Sequence, residues 1–188
     1  MTGGKTAFRR LAASHTLIPV TREVLADLDT AVSAFWKLAR GPWSFLLESV
    51  EGGETWARYT FMGTEPRAVY TARGDRLTVE RPGAGREEVV TPAPLAWITE
   101  RMARHRVYRD PALPRFVGGL VGTASYDFVR HVERLPDLHD ARPEAPDLCF
   151  LETALVLVWD NRPEDWRLYF FDDQVSDSSC TTTTTTTT

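Results

Sequence analysis

Cysteine is nearly missing from this 188-residue chain: Cys149 and Cys180 stand alone, with no spacing of a disulfide framework or a metal-ligand cluster. Cys149 lies in the apolar run Leu148–Trp159, where a small buried hydrophobe is the expected role rather than a reactive thiol. No run reaches the ~18 consecutive apolar residues of a membrane span, and the first residues hold no apolar segment of signal-peptide type. A basic block is also missing: 22 lysines and arginines are spread among 26 acidic residues, for a net charge of −4. Neither nucleic acid nor membrane is therefore an expected partner, and a cytoplasmic location is the simplest expectation.

What is present is a folded domain's composition, 43% hydrophobic with six tryptophans. Residues 1–16 read as a flexible arm and 17–173 as the folded domain. Residues 174–188, ending in eight threonines, read as a tail that adds nothing to a core. An artefact or a frameshift would explain it, since an Asp-type GAC repeat read one base out of frame gives the Thr codon ACG. Thr30–Arg40 has helical apolar spacing, with Thr30 as N-cap and Gly41-Pro42 as the stop. Pro94–Arg104 is a second helix, started by its proline.

Strands are expected at Leu17–Val20 (interrupted by Pro19), Trp43–Val50, Thr55–Met62, Ala68–Ala72 and Arg76–Glu80. Arg81–Arg86 reads as a surface turn and Leu135–Asp147 as a loop. Phe116–Ala124 reads as a core strand whose glycines allow close backbone approach. Leu148–Trp159 and Trp166–Phe171 read as a closing hairpin. Seven or eight strands, mostly in adjacent hairpins, against two or three helices predict an α+β fold with largely antiparallel sheet.

Chemistry is sparse. His15, His105, His131 and His139 have no metal-ligand spacing and read as surface histidines, and no carboxylate pair is marked out for acid–base work. The glycines at 118, 119 and 122 do not form a dinucleotide-binding motif. No catalytic residue and no metal ligand are assigned. One segment stands out: WSFLLESVEGGETWARYTFMG, Trp43–Gly63, places Glu48 and Ser49 at the end of an apolar strand. Desolvating an unpaired carboxylate costs several kcal/mol, so Glu48 faces water or meets a partner. Alternation allows a cross-ladder pair of Glu48 with Arg58. It equally allows a zwitterionic ligand, with the carboxylate for its ammonium and apolar walls for its side chain.

Several blocks resemble the N-terminal region of the anthranilate synthase component I family. They are PVTREV (Pro19–Val24), SAFWKLA (Ser33–Ala39), SFLLESVEGGETWARYTFMGTEP (Ser44–Pro66) and RFVGGLVGTASYDFVRHVERLP (Arg115–Pro136), the last with the Tyr126-Asp127 pair. The blocks keep the family's order and spacing over most of Leu17–Phe171; where many relatives have an aromatic after the glycines, this chain has Thr123-Ala124. The resemblance implies that Leu47, Glu48 and Ser49 line a feedback site for L-tryptophan, with Arg58 near it. It implies a catalytic region C-terminal to the segments seen here, using chorismate and Mg²⁺, with ammonia from a glutamine amidotransferase subunit; no cofactor belongs to this chain. Aminodeoxychorismate synthase, which shares the architecture, and a free-standing amino-acid-binding module are the alternatives.

Overall fold

A computed structural model describes residues 4–26, 28–48, 58–136, 145–160 and 167–175, the last stretch by its backbone. Within the stretch expected as an arm, Gly4–Ala12 forms helix α1. Its Ala7, Phe8, Leu11 and Ala12 are half-buried, while Lys5, Thr6, Arg9 and Arg10 face water. That is one apolar face at helical period, with Arg9 and Arg10 favourably placed in the last turn. Strand β1, Leu17–Leu25, runs through Pro19. This is possible because β1 is the edge of its sheet, where a missing amide hydrogen leaves no ladder bond unmade.

Helix α2, Ala31–Leu38, begins as expected at Thr30. The Thr30 hydroxyl accepts from the Ser33 amide at 3.1 Å, and the Ser33 hydroxyl accepts from the Thr30 amide at 3.0 Å. Serine here takes the place usually held by Glu or Gln in a capping box. The remaining elements are strands β2 (Phe45–Leu47), β3 (Tyr59–Thr64), β4 (Ala68–Arg73), β5 (Arg76–Arg81) and β6 (Gly85–Val90). They continue with helix α3 (Pro94–Ala103), β7 (Leu120–Ala124), a 3₁₀ turn (Tyr126–His131), β8 (Leu148–Glu152), β9 (Leu155–Asp160) and β10 (Arg167–Val175).

The strands form two five-stranded antiparallel sheets, ordered β1-β10-β9-β3-β2 and β6-β5-β4-β8-β7. The α+β expectation thus holds. The run Leu148–Trp159, expected as one strand, is two: β8 belongs to the second sheet and β9 to the first. The chain makes the same change of sheet between β3 and β4. Thr64 pairs with Leu155 on one side of the corner and Ala68 with Glu152 on the other. β3–β4 and β8–β9 are therefore one long antiparallel ribbon threading both sheets. At its corner Glu65 adopts a left-handed backbone, φ 48°, a conformation uncommon for a non-glycine residue.

β9 is the centre of the first sheet and is buried on both faces. Leu157 and Trp159 pack with Met62, Ala31 and Ala34 beneath α2. Val156 and Val158 pack with Tyr59, Phe61, Leu113, Phe116 and Val117 on the reverse. Burial on both faces explains why this strand reads as an unbroken apolar run. In the second sheet Tyr70, Leu77, Val79 and Leu148 cluster with Ile98 of α3.

Three further expectations change. Beyond the turn at Arg81–Arg86, Arg86–Val90 forms most of β6; its Glu87 and Glu88 mark a solvated edge strand with cross-strand pairs Arg81–Glu87 and Arg76–Glu88. Only Leu120–Ala124 of the glycine segment is strand, and it is a half-exposed edge rather than core. Close approach at Gly122 is real, since a Cβ there would strike the Cys149 carbonyl and Phe150. Finally, β10 carries the sheet past residue 173, with Gln174 and Val175 paired to Ile18 and Leu17. The tail beyond 175 and Cys180 lie outside the described residues.

Candidate functional site

The first hairpin is held to the sheet by Leu46 opposite Met62 and by Phe45 opposite Gly63. The Phe45 ring fills the space a Cβ at Gly63 would take. β2 is the last strand of its sheet among the described residues. Leu46 turns inward to the α2 cluster. Leu47 is half-exposed opposite Phe61, and Glu48 stands exposed just past the strand. Ser49 and the connection 49–57 lie outside the described residues.

Arg58, just before β3, does not resolve the hairpin question in the expected way. Its guanidinium forks onto Asp160, Nε to Oδ1 at 2.9 Å and Nη2 to Oδ2 at 2.6 Å. It also lies over the Tyr59 ring, 4.6 Å from the centroid. Asp160, only 3% exposed, ends β9 opposite Tyr59. A carboxylate that deep requires a cation, and a bidentate arginine is the strong form of that pair. Among the described residues Glu48 meets no cation. Asp160 was legible only as the first residue of a turn; its closing of an apolar run, where a charge needs a partner, was the available signal.

A second buried carboxylate lies at the sheet corner. Glu152, 8% exposed, accepts the Tyr70 hydroxyl at 2.5 Å. Burial, and then the Glu152 bond and charge, push the Tyr70 ionisation well above the usual tyrosine value. A cavity of about 60 Å³ lies beside it, lined by Glu152, Thr153, Gly119, Met102 and His105.

His131 is not a surface residue. Its side chain is 12% exposed, and its Nε2 lies 3.1 Å from Asp147 Oδ2, which also accepts the Gly74 amide. His15 contacts the Tyr108 ring edge-on, His105 is half-buried, and His139 lies outside the described residues. Cys149 is half-buried in β8. Among the described residues no three His, Cys, Asp or Glu side chains converge on a possible metal position. They do not fit a Mg²⁺ site, and no chemical step through that ion is derived from this chain. No described helix is long and apolar enough to cross a membrane.

No protein-family model matches the chain. Among curated proteins it is 43% identical over 157 residues to anthranilate synthase component 1 of Pseudomonas aeruginosa, covering 82% of this chain and 32% of that protein. Against the same-named protein of Acetivibrio thermocellus it is 40% identical, covering 80% of this chain and 30% of the relative. Against that of Synechocystis it is 36% identical, covering 90% and 34%. The chain thus spans about a third of the length of these relatives.

Proposed function

The chain is homologous to the N-terminal region of anthranilate synthase component 1, and from that premise we propose that it serves tryptophan biosynthesis as the feedback-sensing part of that enzyme. L-Tryptophan is the ligand. Glu48 takes its ammonium, Leu47 packs against its side chain, Ser49 supplies a hydroxyl, and Arg58 borders the site. The reaction served is conversion of chorismate and ammonia to anthranilate and pyruvate, with ammonia supplied by a glutamine amidotransferase partner and Mg²⁺ bound by catalytic residues. None of those catalytic residues is assigned to this chain.

The observation that carries this reading is the state of Glu48. The rival role, a cross-ladder ion pair, needs Arg58, and the Arg58 guanidinium is forked onto the buried carboxylate of Asp160. An exposed carboxylate beside a half-exposed leucine on an edge strand then suits an ammonium-bearing ligand with an apolar body.

Calorimetric titration tests it with L-tryptophan, tryptamine and indole-3-propionate. The chain is expected to favour the two ammonium-bearing ligands over indole-3-propionate, and Glu48→Gln to weaken L-tryptophan about ten-fold, equivalent to ~1.4 kcal/mol. Affinity that ignores both the ligand's ammonium and the Glu48 substitution would overturn the assignment.

A further inference from the structure

We propose that the cavity at the sheet corner binds a short primary alkylammonium ion, with the Glu152 carboxylate as its counter-charge. The site is separate from the hairpin of Leu47 and Glu48, and described residues line it throughout.

Glu152 carries the argument. It is 8% exposed, and its one side-chain hydrogen bond is from the Tyr70 hydroxyl to Oε2. Among the described residues no cation pairs with it. Arg101 bears on the Tyr70 hydroxyl, partly offsetting the effect of Glu152 there, yet forms no ion pair with the carboxylate. A carboxylate so deep is costly without a cation, and a phenol answers only one of its two oxygens. The other is left for the cavity that Glu152 lines.

The size and walls of the cavity select the ligand. Its volume of about 60 Å³ compares with the roughly 10–15 Å³ that one water needs, so about four water-sized groups fit. Leu17, Met102, Val107 and Val117 supply an apolar wall for a short alkyl chain. Gly118 and Gly119, at φ 151° and 138°, supply bare backbone in a conformation that suits glycine. Thr153 fixes that backbone: its hydroxyl accepts from the Gly119 amide at 2.9 Å and donates to the Gly119 carbonyl at 3.2 Å.

Other cations suit the site less well. A guanidinium binds best to both carboxylate oxygens, and Tyr70 holds one of them. A calcium ion takes six or more oxygen ligands, which an apolar wall does not supply. An ammonium is a compact point charge that a single carboxylate oxygen can answer. His105 lines the same cavity and offers a ring nitrogen as a further acceptor.

The probe is ethylammonium chloride, titrated into the full chain and followed by the amide NMR signals of Gly119 and Thr153. Saturable shifts are expected in the ~mM range, the best that three non-hydrogen atoms reach. Contacts from the ethyl group to the Leu17 and Met102 methyls should appear as nuclear Overhauser effects. Sodium and tetramethylammonium chloride at equal ionic strength should not reproduce the shifts, because neither has an N–H to donate. Glu152→Gln keeps an acceptor for the Tyr70 hydroxyl and is expected to weaken ethylammonium at least ten-fold. Val107→Phe, at a 40% exposed position, keeps the carboxylate but fills the space, and a comparable loss is expected. It preserves the test should Glu152→Gln fold poorly. Absence of saturable binding overturns the proposal, as do shifts that sodium reproduces. So does an affinity that either substitution leaves unchanged.

Discussion

Two strands of the central ribbon end in a buried carboxylate, and they answer it differently. β9 ends in Asp160, which receives a forked arginine; β8 ends in Glu152, which receives a neutral phenol. The first carboxylate sits at the outer end of the two-faced sheet, beside the hairpin that carries Leu47 and Glu48. The second sits at the corner where the ribbon changes sheets. An ion pair with one nearly sealed member is sensitive to the loss of either partner. A phenol–carboxylate bond ties its region to the proton on the tyrosine instead. The same device, an acid at a strand end, thus sets the direction of a side chain in one place and a pH response in the other.

Removing the cation tests the first region hardest. Arg58→Met takes the bidentate guanidinium away from the buried Asp160 and is expected to cost about 3 kcal/mol, less than a fully buried pair would because the arginine side chain is 29% exposed; the midpoint of urea unfolding reads it directly. The double variant Arg58→Met/Asp160→Asn should recover much of that loss, and an equal loss in both would sink the account.

At the corner, Tyr70→Phe removes the donor to Glu152 and is expected to cost about 1–3 kcal/mol at neutral pH. Its signature lies in alkali. The folded Tyr70 ionises above its ordinary value of 10.0, so its contribution is full below that value and is lost as pH rises past it. Thermal unfolding of the wild type should therefore weaken beyond about pH 10, and Tyr70→Phe should remove that part of the decline. Parallel pH curves for the two proteins would refute it.

Two smaller changes calibrate the scale away from both carboxylates. Thr30→Ala should cost about 1 kcal/mol by unmaking the reciprocal cap of α2, and it should add to Arg58→Met without coupling. Glu87→Ala breaks a half-exposed pair with Arg81 on the edge of the second sheet. Its expected cost is at most about 0.5 kcal/mol, fading in high salt. A loss comparable to that of Arg58→Met would mean burial is not what separates the two classes.

Much of the local structure was legible in the chain. The start of α2 at Thr30, the proline that opens α3 and the hairpin across Gly74 follow from capping, φ restriction and turn chemistry, which act within a few residues. Helix α1 escaped notice because its apolar face is short, and β6 because an edge strand needs no apolar side; Glu87 and Glu88 look like loop. The candidate site was half legible. LLES with WARYTF carried the resemblance, but alternation proposed Glu48 as the neighbour of Arg58 and missed Asp160.

The sequence by itself determined the place of α2, α3 and several strands, the α+β class and the likeness to anthranilate synthase component 1. Those properties rest on periodicity and on residue identity, which are read along the chain. Tertiary structure decided that Leu148–Trp159 divides between two sheets, that Pro19 lies on an edge and that Arg58 turns from Glu48 to Asp160. Each of these depends on which distant strand lies alongside and on how deeply a charge is buried. A carboxylate 102 positions away captures the arginine because it is sealed from water, while the nearer one remains solvated.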